Sequence, residues 1–207
     1  KQKGRQEAVI KGFDLAGGKF GDFIREAKIL TELPTSDFRL PTILIYCWRG
    51  GMRSAIAEWI LSLAGFKILR LKGGYKTFRN WALEVLKQEK KILVLGGMTG
   101  SGKTELLQYL SKLGEMVIDL ERLAHHKGSA FGGLGQLPQP TNEHFENMLA
   151  LEWAKIPNID DNKSPRDRIK FAWLENESRT IGYNQLPNSI YEQIRKANVV
   201  EINIPRE

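Results

Sequence analysis

The stretch Gly97-Met98-Thr99-Gly100-Ser101-Gly102-Lys103-Thr104 constrains the fold of this chain more than any other. It fits the phosphate-loop pattern G-x-x-x-x-G-K-[ST]. The apolar run Ile92-Leu93-Val94-Leu95 before it reads as a buried strand. The segment from Glu105 to Leu113 after it carries Leu106, Leu107, Leu110 and Leu113 at helical spacing. Between strand and helix, the glycines let successive backbone N–H groups turn toward one anion, and the helix N-terminus adds its positive dipole end. Gly97, Thr99, Gly100, Ser101 and Gly102 are then expected to cradle a phosphate or diphosphate, with Lys103 reaching the terminal phosphates and the Thr104 hydroxyl a candidate magnesium ligand. A glycine-rich turn that matches by chance would not explain both flanks.

A second stretch surrounds the only cysteine, Cys47. Thr42-Ile43-Leu44-Ile45-Tyr46 predicts a central strand that delivers Cys47 into Trp48-Arg49-Gly50-Gly51-Met52-Arg53-Ser54. A helix is expected from Ser54 to Leu63, with Ala55, Ile56, Trp59, Ile60 and Leu63 on its apolar side. A cysteine in such a loop sits in a ring of backbone N–H groups. Those dipoles, Arg49, Arg53 and the helix N-terminus all favour the thiolate, so its pKa is expected to be depressed. A thiolate of this kind attacks phosphorus, or accepts sulfur or selenium as a persulfide-type intermediate. The alternative is a buried structural cysteine.

The rest of the chain predicts alternating α/β structure. Helices are expected over Glu7 to Leu15 and Phe20 to Leu30, broken at Gly17-Gly18, followed by a loop marked by Pro34, Ser36, Asp37 and Pro41. A strand over Phe66 to Leu71 completes a βαβ unit; Gly73-Gly74-Tyr75 and a helix over Lys76 to Lys90 follow. Beyond the phosphate loop, strands are expected at Met116 to Leu120, Ile169 to Leu174 and Val199 to Ile204, with helices at Asn142 to Trp153 and Asn188 to Lys196. Pro157 to Arg168 reads as an exposed loop, and Trp59 and Trp81 fit helix faces and are expected in the core.

Composition adds bounds. A chain of 207 residues suits one large domain or two small ones, and 42% hydrophobic content supports a sizeable core. No apolar run approaches the roughly 18 residues that cross a bilayer, and the N-terminal residues do not read as a signal peptide. One cysteine excludes an internal disulfide and suits a reducing cytoplasm. The net charge of +7 permits an acidic partner such as RNA or a phosphorylated metabolite.

Other candidates carry two readings each. Asp119 holds a metal or substrate at a strand end, or is simply solvated. Glu175 and Glu177 flank the end of the next strand, where ligands gather in parallel sheets, as metal-shell carboxylates or a base. Arg179 stabilises phosphate charge or is merely exposed. His125, His126 and Lys127 contact RNA or diphosphate, or only water; they lack the partner ligands of a zinc site. Trp48 stacks on a base or caps the cysteine pocket.

Tyr46-Cys47-Trp48-Arg49-Gly50-Gly51-Met52-Arg53-Ser54 with Leu71-Lys72-Gly73-Gly74-Tyr75 resembles the second half of a rhodanese-type domain. Joined to a phosphate-loop domain, and with Ala124 to Gly132 and Leu174 to Gly182, it resembles the tRNA 2-selenouridine synthase family. The resemblance implies a rhodanese-like parallel-sheet domain over 1–82 whose start lies upstream, a helical connection over 83–90, and a P-loop NTPase-like parallel-sheet domain over 91–207 that continues further. It implies a cytoplasmic transferase that replaces the sulfur of wobble 2-thiouridine in tRNA with selenium. Selenophosphate is the implied donor, with the enzyme that makes it an implied partner, and geranyl diphosphate makes an S-geranylated intermediate. Cys47 would serve the selenium step and the phosphate loop would hold the prenyl diphosphate, with no membrane partner. The motifs also admit a small-molecule kinase or ATPase with an appended sulfurtransferase domain, or a phosphate-binding module with a redox-sensing cysteine.

Overall fold

The computed structural model describes residues 2–31, 42–98, 100–129, 131–158 and 171–203. The expected loop around Pro34 to Pro41, most of the Pro157 to Arg168 segment, the start of the strand expected from Ile169, and Thr99 lie outside those residues. The chain divides into two compact units, Lys1–Phe78 and Arg79–Glu207.

In the first unit, α1 (Gln2–Ala16) and α2 (Phe20–Thr31) meet at a short 3-10 turn, Gly17–Lys19, where the glycine pair interrupts the helix. Strands β1 (Thr42–Ile45) and β2 (Lys67–Arg70) pair in parallel, Thr42 opposite Lys67 and Ile45 opposite Arg70, with α3 (Met52–Leu63) as the crossover. Among the described residues β1 pairs with β2 alone, so the strand expected to be central has one hydrogen-bonded neighbour. Leu44 and Leu69 are exposed on one face of this ribbon. Of the predicted stripe of α3 only Ile60 is fully buried, joined by Ser54 and Leu61, while Trp59 is 58% exposed. Apolar spacing alone did not say which side of the helix meets the sheet. Trp81, also expected in the core, is 40% exposed. Helix α4 (Gly74–Val85) starts in this unit and ends in the next.

The second unit is built on a four-stranded sheet of β3 (Ile92–Gly97), β4 (Met116–Ile118), β5 (Ala172–Glu175) and β8 (Asn198–Ile202), in the order β4-β5-β3-β8. Every pairing is parallel: Val94 faces Leu174 on one side and Val199 on the other. Helix α5 (Lys103–Lys112) leaves the phosphate loop, and α6 (Leu120–Ala124), α7 (Asn142–Trp153) and α8 (Asn188–Lys196) complete the unit with a small hairpin of β6 (Thr180–Ile181) and β7 (Asn184–Gln185).

The core lies on one face of the sheet. Val94, Ile118 and Leu174 pack there with Ala82 and Leu86 from the end of α4 and beyond, Phe145 and Trp153 of α7, and Ile190 of α8. Leu95 alternates to the other face and is buried, as is Leu107 of α5, which packs against β3, β4 and β5. Polar ties fix the segment before β3: Arg79 donates to Asn147 Oδ1 at 2.9 Å and pairs with Glu146, and the Trp153 indole donates to the Gln88 carbonyl at 3.1 Å. The helix predicted to reach Lys90 stops at Val85, because turns at Leu86 to Gln88 and the buried Lys90 side chain redirect the chain; Lys90 Nζ donates to Ile156 O and Asn158 Oδ1, both at 2.7 Å. The strand expected to reach Leu120 also ends early, at Ile118, since Asp119 caps a helix instead of continuing the strand.

Phe145 is fully buried in the largest core. Phe145→Ala should cost about 3–5 kcal/mol, seen in urea titration as a lower midpoint with little change in slope.

Candidate functional site

The phosphate loop joins β3 to α5 as the pattern requires. Gly102, the residue before α5, has φ +80, a conformation glycine adopts without strain. At Gly97 a Cβ would lie 2.8 Å from Ser101 Oγ and 3.2 Å from the Ile202 carbonyl, so only glycine fits against β8 there. Lys103 Nζ donates to the Gly97 and Met98 carbonyls at 3.1 and 3.0 Å and lies 3.5 Å from Glu175 Oε1. Thr104 Oγ1 donates to Glu175 Oε2 at 3.4 Å. Ser101 Oγ is buried without a hydrogen-bond partner among the described residues.

Glu175 reaches the loop because β5 pairs directly with β3, placing it opposite Leu95. Asp119, at the end of β4, accepts from Arg122 N at 2.8 Å as the N-cap of α6. The helix it starts carries Glu121, which the sequence reading missed because no pattern marked a five-residue helix there. Glu121 and Glu177 close on one glycine: a Cβ on Gly128 would lie 2.9 Å from Glu121 Oε1 and 2.9 Å from Glu177 Oε2. Burial, then the charges of Glu175, Glu177 and Asp119, push the Glu121 carboxyl up to about 7, with Lys103 opposing. Burial and Glu175 first, with a smaller push from Asp119, raise Glu177 to about 7, against Lys103 and the Ser178 amide. The result is an acid cluster beside one lysine. Among the described residues no three His, Cys, Asp or Glu side chains form a ready metal cage.

The remaining predicted residues fall outside this cluster or on its rim. His125 caps α6 in a left-handed conformation, its Nδ1 2.9 Å from the Pro138 carbonyl. The His126 ring packs against Gly132 and Gly133 with Nδ1 buried and without a hydrogen-bond partner among the described residues, while its backbone N donates to Glu121 O. Lys127 is exposed. Arg179 hydrogen-bonds Asn188 at the start of α8. A groove of about 400 Å³ lies elsewhere, lined by Lys90, Lys91, Phe171 and Gln193, at the amino end of β3 and along α8.

Cys47 lies at the end of β1, half-buried. Its Sγ is 3.3 Å from Ser54 Oγ and accepts from Gly51 N at 3.2 Å. Ser54 also donates to Gly51 O at 3.1 Å. The Ser54 hydroxyl is the largest cause of a thiol pKa lowered from 9.0 to about 6, followed by the Ser54 backbone N–H; burial opposes them, and the Gly51 and Arg49 N–H groups add smaller downward effects. Arg49 thus acts through its amide, and Ser54 carries the role that the sequence reading gave to the guanidiniums of Arg49 and Arg53; both arginines are exposed. The Gly73-Gly74 pair closes the loop from the other side: Tyr75 N donates to Cys47 O at 3.0 Å, and a Cβ on Gly74 (φ +66) would fall 2.1 Å from that oxygen.

Residues 90–207 match the family described as tRNA 2-selenouridine synthase AAA domain. Three proteins named tRNA 2-selenouridine synthase align with all of this chain: those of Sulfurovum sp. (strain NBC37-1), Shewanella piezotolerans and Aeromonas salmonicida, at 39%, 35% and 37% identity. The aligned part is 53%, 53% and 52% of those proteins, so the chain spans about half the length of the curated relatives it matches. No solved structure gives a significant match.

Alkylation of Cys47 by iodoacetamide should rise with pH through about 6, and Ser54→Ala should move that midpoint upward. A midpoint left in place would show that the amides alone hold the thiolate. For Glu121 and Glu177 the shift is upward, from 4.5 to about 7, so the folded state binds more protons than the unfolded chain between those values. Their contribution to stability is therefore full below about 4.5 and lost as pH rises through about 7. The Glu121→Gln, Glu177→Gln double variant should flatten the fall in unfolding free energy over that window, measured by chemical denaturation at successive pH values.

Proposed function

Since the chain belongs to the tRNA 2-selenouridine synthase AAA-domain family, we propose that it acts in a tRNA-modifying transferase that exchanges the sulfur of wobble 2-thiouridine for selenium. On this reading Gly97 to Thr104 binds the diphosphate of geranyl diphosphate, and the uridine sulfur attacks the prenyl C1. A C–S bond forms, the C–O bond breaks, and diphosphate leaves with the electron pair. Lys103 and the backbone N–H groups of the loop stabilise that leaving group. The buried Ser101 Oγ supports the assignment, because an anion oxygen supplies the partner that the hydroxyl lacks among the described residues. Thr104 and Glu175, which meet at 3.4 Å, offer the oxygen ligands that magnesium prefers, and such an ion would add charge neutralisation on the diphosphate.

The selenium step falls to the rhodanese-like unit. The Cys47 thiolate attacks phosphorus of selenophosphate; an S–P bond forms and the P–Se bond breaks, leaving the pair on selenium, and water then hydrolyses the S–P bond, which releases phosphate and restores the thiol. Selenide then adds at C2 of the alkylated uridine and geranylthiolate departs, so no oxidant is required. The observation that carries this reading is the pairing, in one chain, of a glycine-rich loop holding Lys103 with a cysteine loop whose Sγ accepts from Gly51 N and lies 3.3 Å from Ser54 Oγ. Cytoplasmic placement and a supply of selenophosphate from the enzyme that makes it follow from the same reading. No helix among the described residues is long and apolar enough to cross a membrane.

Lys103→Ala should weaken geranyl diphosphate binding at least about ten-fold, since a charge-assisted contact of roughly 1.5–3 kcal/mol is lost; isothermal titration measures it. In the full-length enzyme, Cys47→Ser should leave geranylation of the wobble nucleoside intact and stop selenium incorporation, read by mass spectrometry. Equal loss of both products would overturn the division of labour.

A further inference from the structure

Next to the cysteine loop, three rings form a continuous row. The Tyr75 ring lies 6.3 Å from Tyr46 at 28° and 5.4 Å from Trp48 at 38°. Yet the outer members are open to solvent: Tyr46 is 58% and Trp48 53% exposed. Single exposed rings are ordinary, whereas adjoining exposed rings mark a binding surface. The row is also held in place. Tyr75 N donates to Cys47 O and Lys76 N to Trp48 O, each at 3.0 Å, so the segments carrying the rings are stapled together around the nucleophile. Arg49 and Lys76, the sequence neighbours of Trp48 and Tyr75, are exposed, as is Arg53 in the first turn of α3.

Flat π faces interleaved with cations match an unpaired nucleobase and its flanking phosphates. A peptide of acidic residues would use the cations and leave the ring faces without partners. We propose that Tyr46, Trp48 and Tyr75 form a stacking platform for an unpaired base of RNA, beside Cys47, with Arg49, Arg53 and Lys76 meeting the adjacent phosphates. The proposal rests on the reading of the chain as part of a tRNA-modifying enzyme and adds the surface that receives the base. The rigid backbone staples mean that the platform costs little ordering when it binds.

The test uses the full chain and fluorescein-labelled oligouridine, with a duplex RNA of equal length as control, followed by anisotropy. Trp48→Ala and Tyr46→Ala should each weaken single-strand binding about five-fold or more, the lower end of base–aromatic stacking, with a much smaller effect on the duplex. Trp48→Phe should restore most of the affinity. The alkylation rate of Cys47 should stay unchanged in all three, which separates loss of stacking from collapse of the loop. Unaltered single-strand affinity in both alanine variants, or equal loss on single strand and duplex, would overturn the platform. Oligouridine binding without geranyl diphosphate reads the platform alone, so failure of the diphosphate assignment and failure of the platform give different results.

Discussion

The parallel pairing of β3 with β5 on one side and β8 on the other is the constraint from which the second unit follows. Strands that run the same way deliver whatever follows them to a single edge. Here that edge receives the phosphate loop from β3, Asp119 from β4 and Glu175 from β5. Helix α5, which begins inside the loop, must cross to β4, two places away, and in doing so covers Leu95 and its face of the sheet. The convergence of these groups at one edge is therefore a product of topology before any side chain is chosen. Burial first, and then the gathering of carboxylates at this edge, raise Glu121 and Glu177 to about 7, with one lysine opposing.

The two loops handle negative charge, as proposed, with different materials. In the phosphate loop, glycines free the backbone and Lys103 supplies charge, tethered to two carbonyls of its own loop. In the cysteine loop, the charge to be stabilised belongs to the protein itself. A hydroxyl and a set of amides suffice there, and a nearby guanidinium is not needed. The second arrangement leaves both arginines of that segment exposed and available for other contacts.

What was legible in the sequence follows from the range of the forces involved. The strand–loop–helix at Ile92 to Lys112 was readable because each part is local: an apolar run, glycines at fixed spacing, a leucine stripe. The boundaries of α7 and α8 were readable for the same reason, with Thr141 capping the first through His144 N. The buried face of α3 was not, because Ser54 turns inward to serve a sulfur seven residues away while Trp59 turns out. Glu121 escaped notice since its significance lies in contact with Glu177 and Gly128, which no local pattern joins. The role of Tyr75 likewise depends on a backbone bond across the β1–β2 ribbon.

Gly128 has one further implication. A Cβ at this position would meet two acidic side chains, Glu121 of α6 and Glu177 of the segment after β5, each at 2.9 Å. Glu121 and Glu177 therefore leave no room for a side chain at this point of the turn. A single methyl group there would have to displace one carboxyl or the other, so the spacing of the acidic pair depends on a bare stretch of main chain.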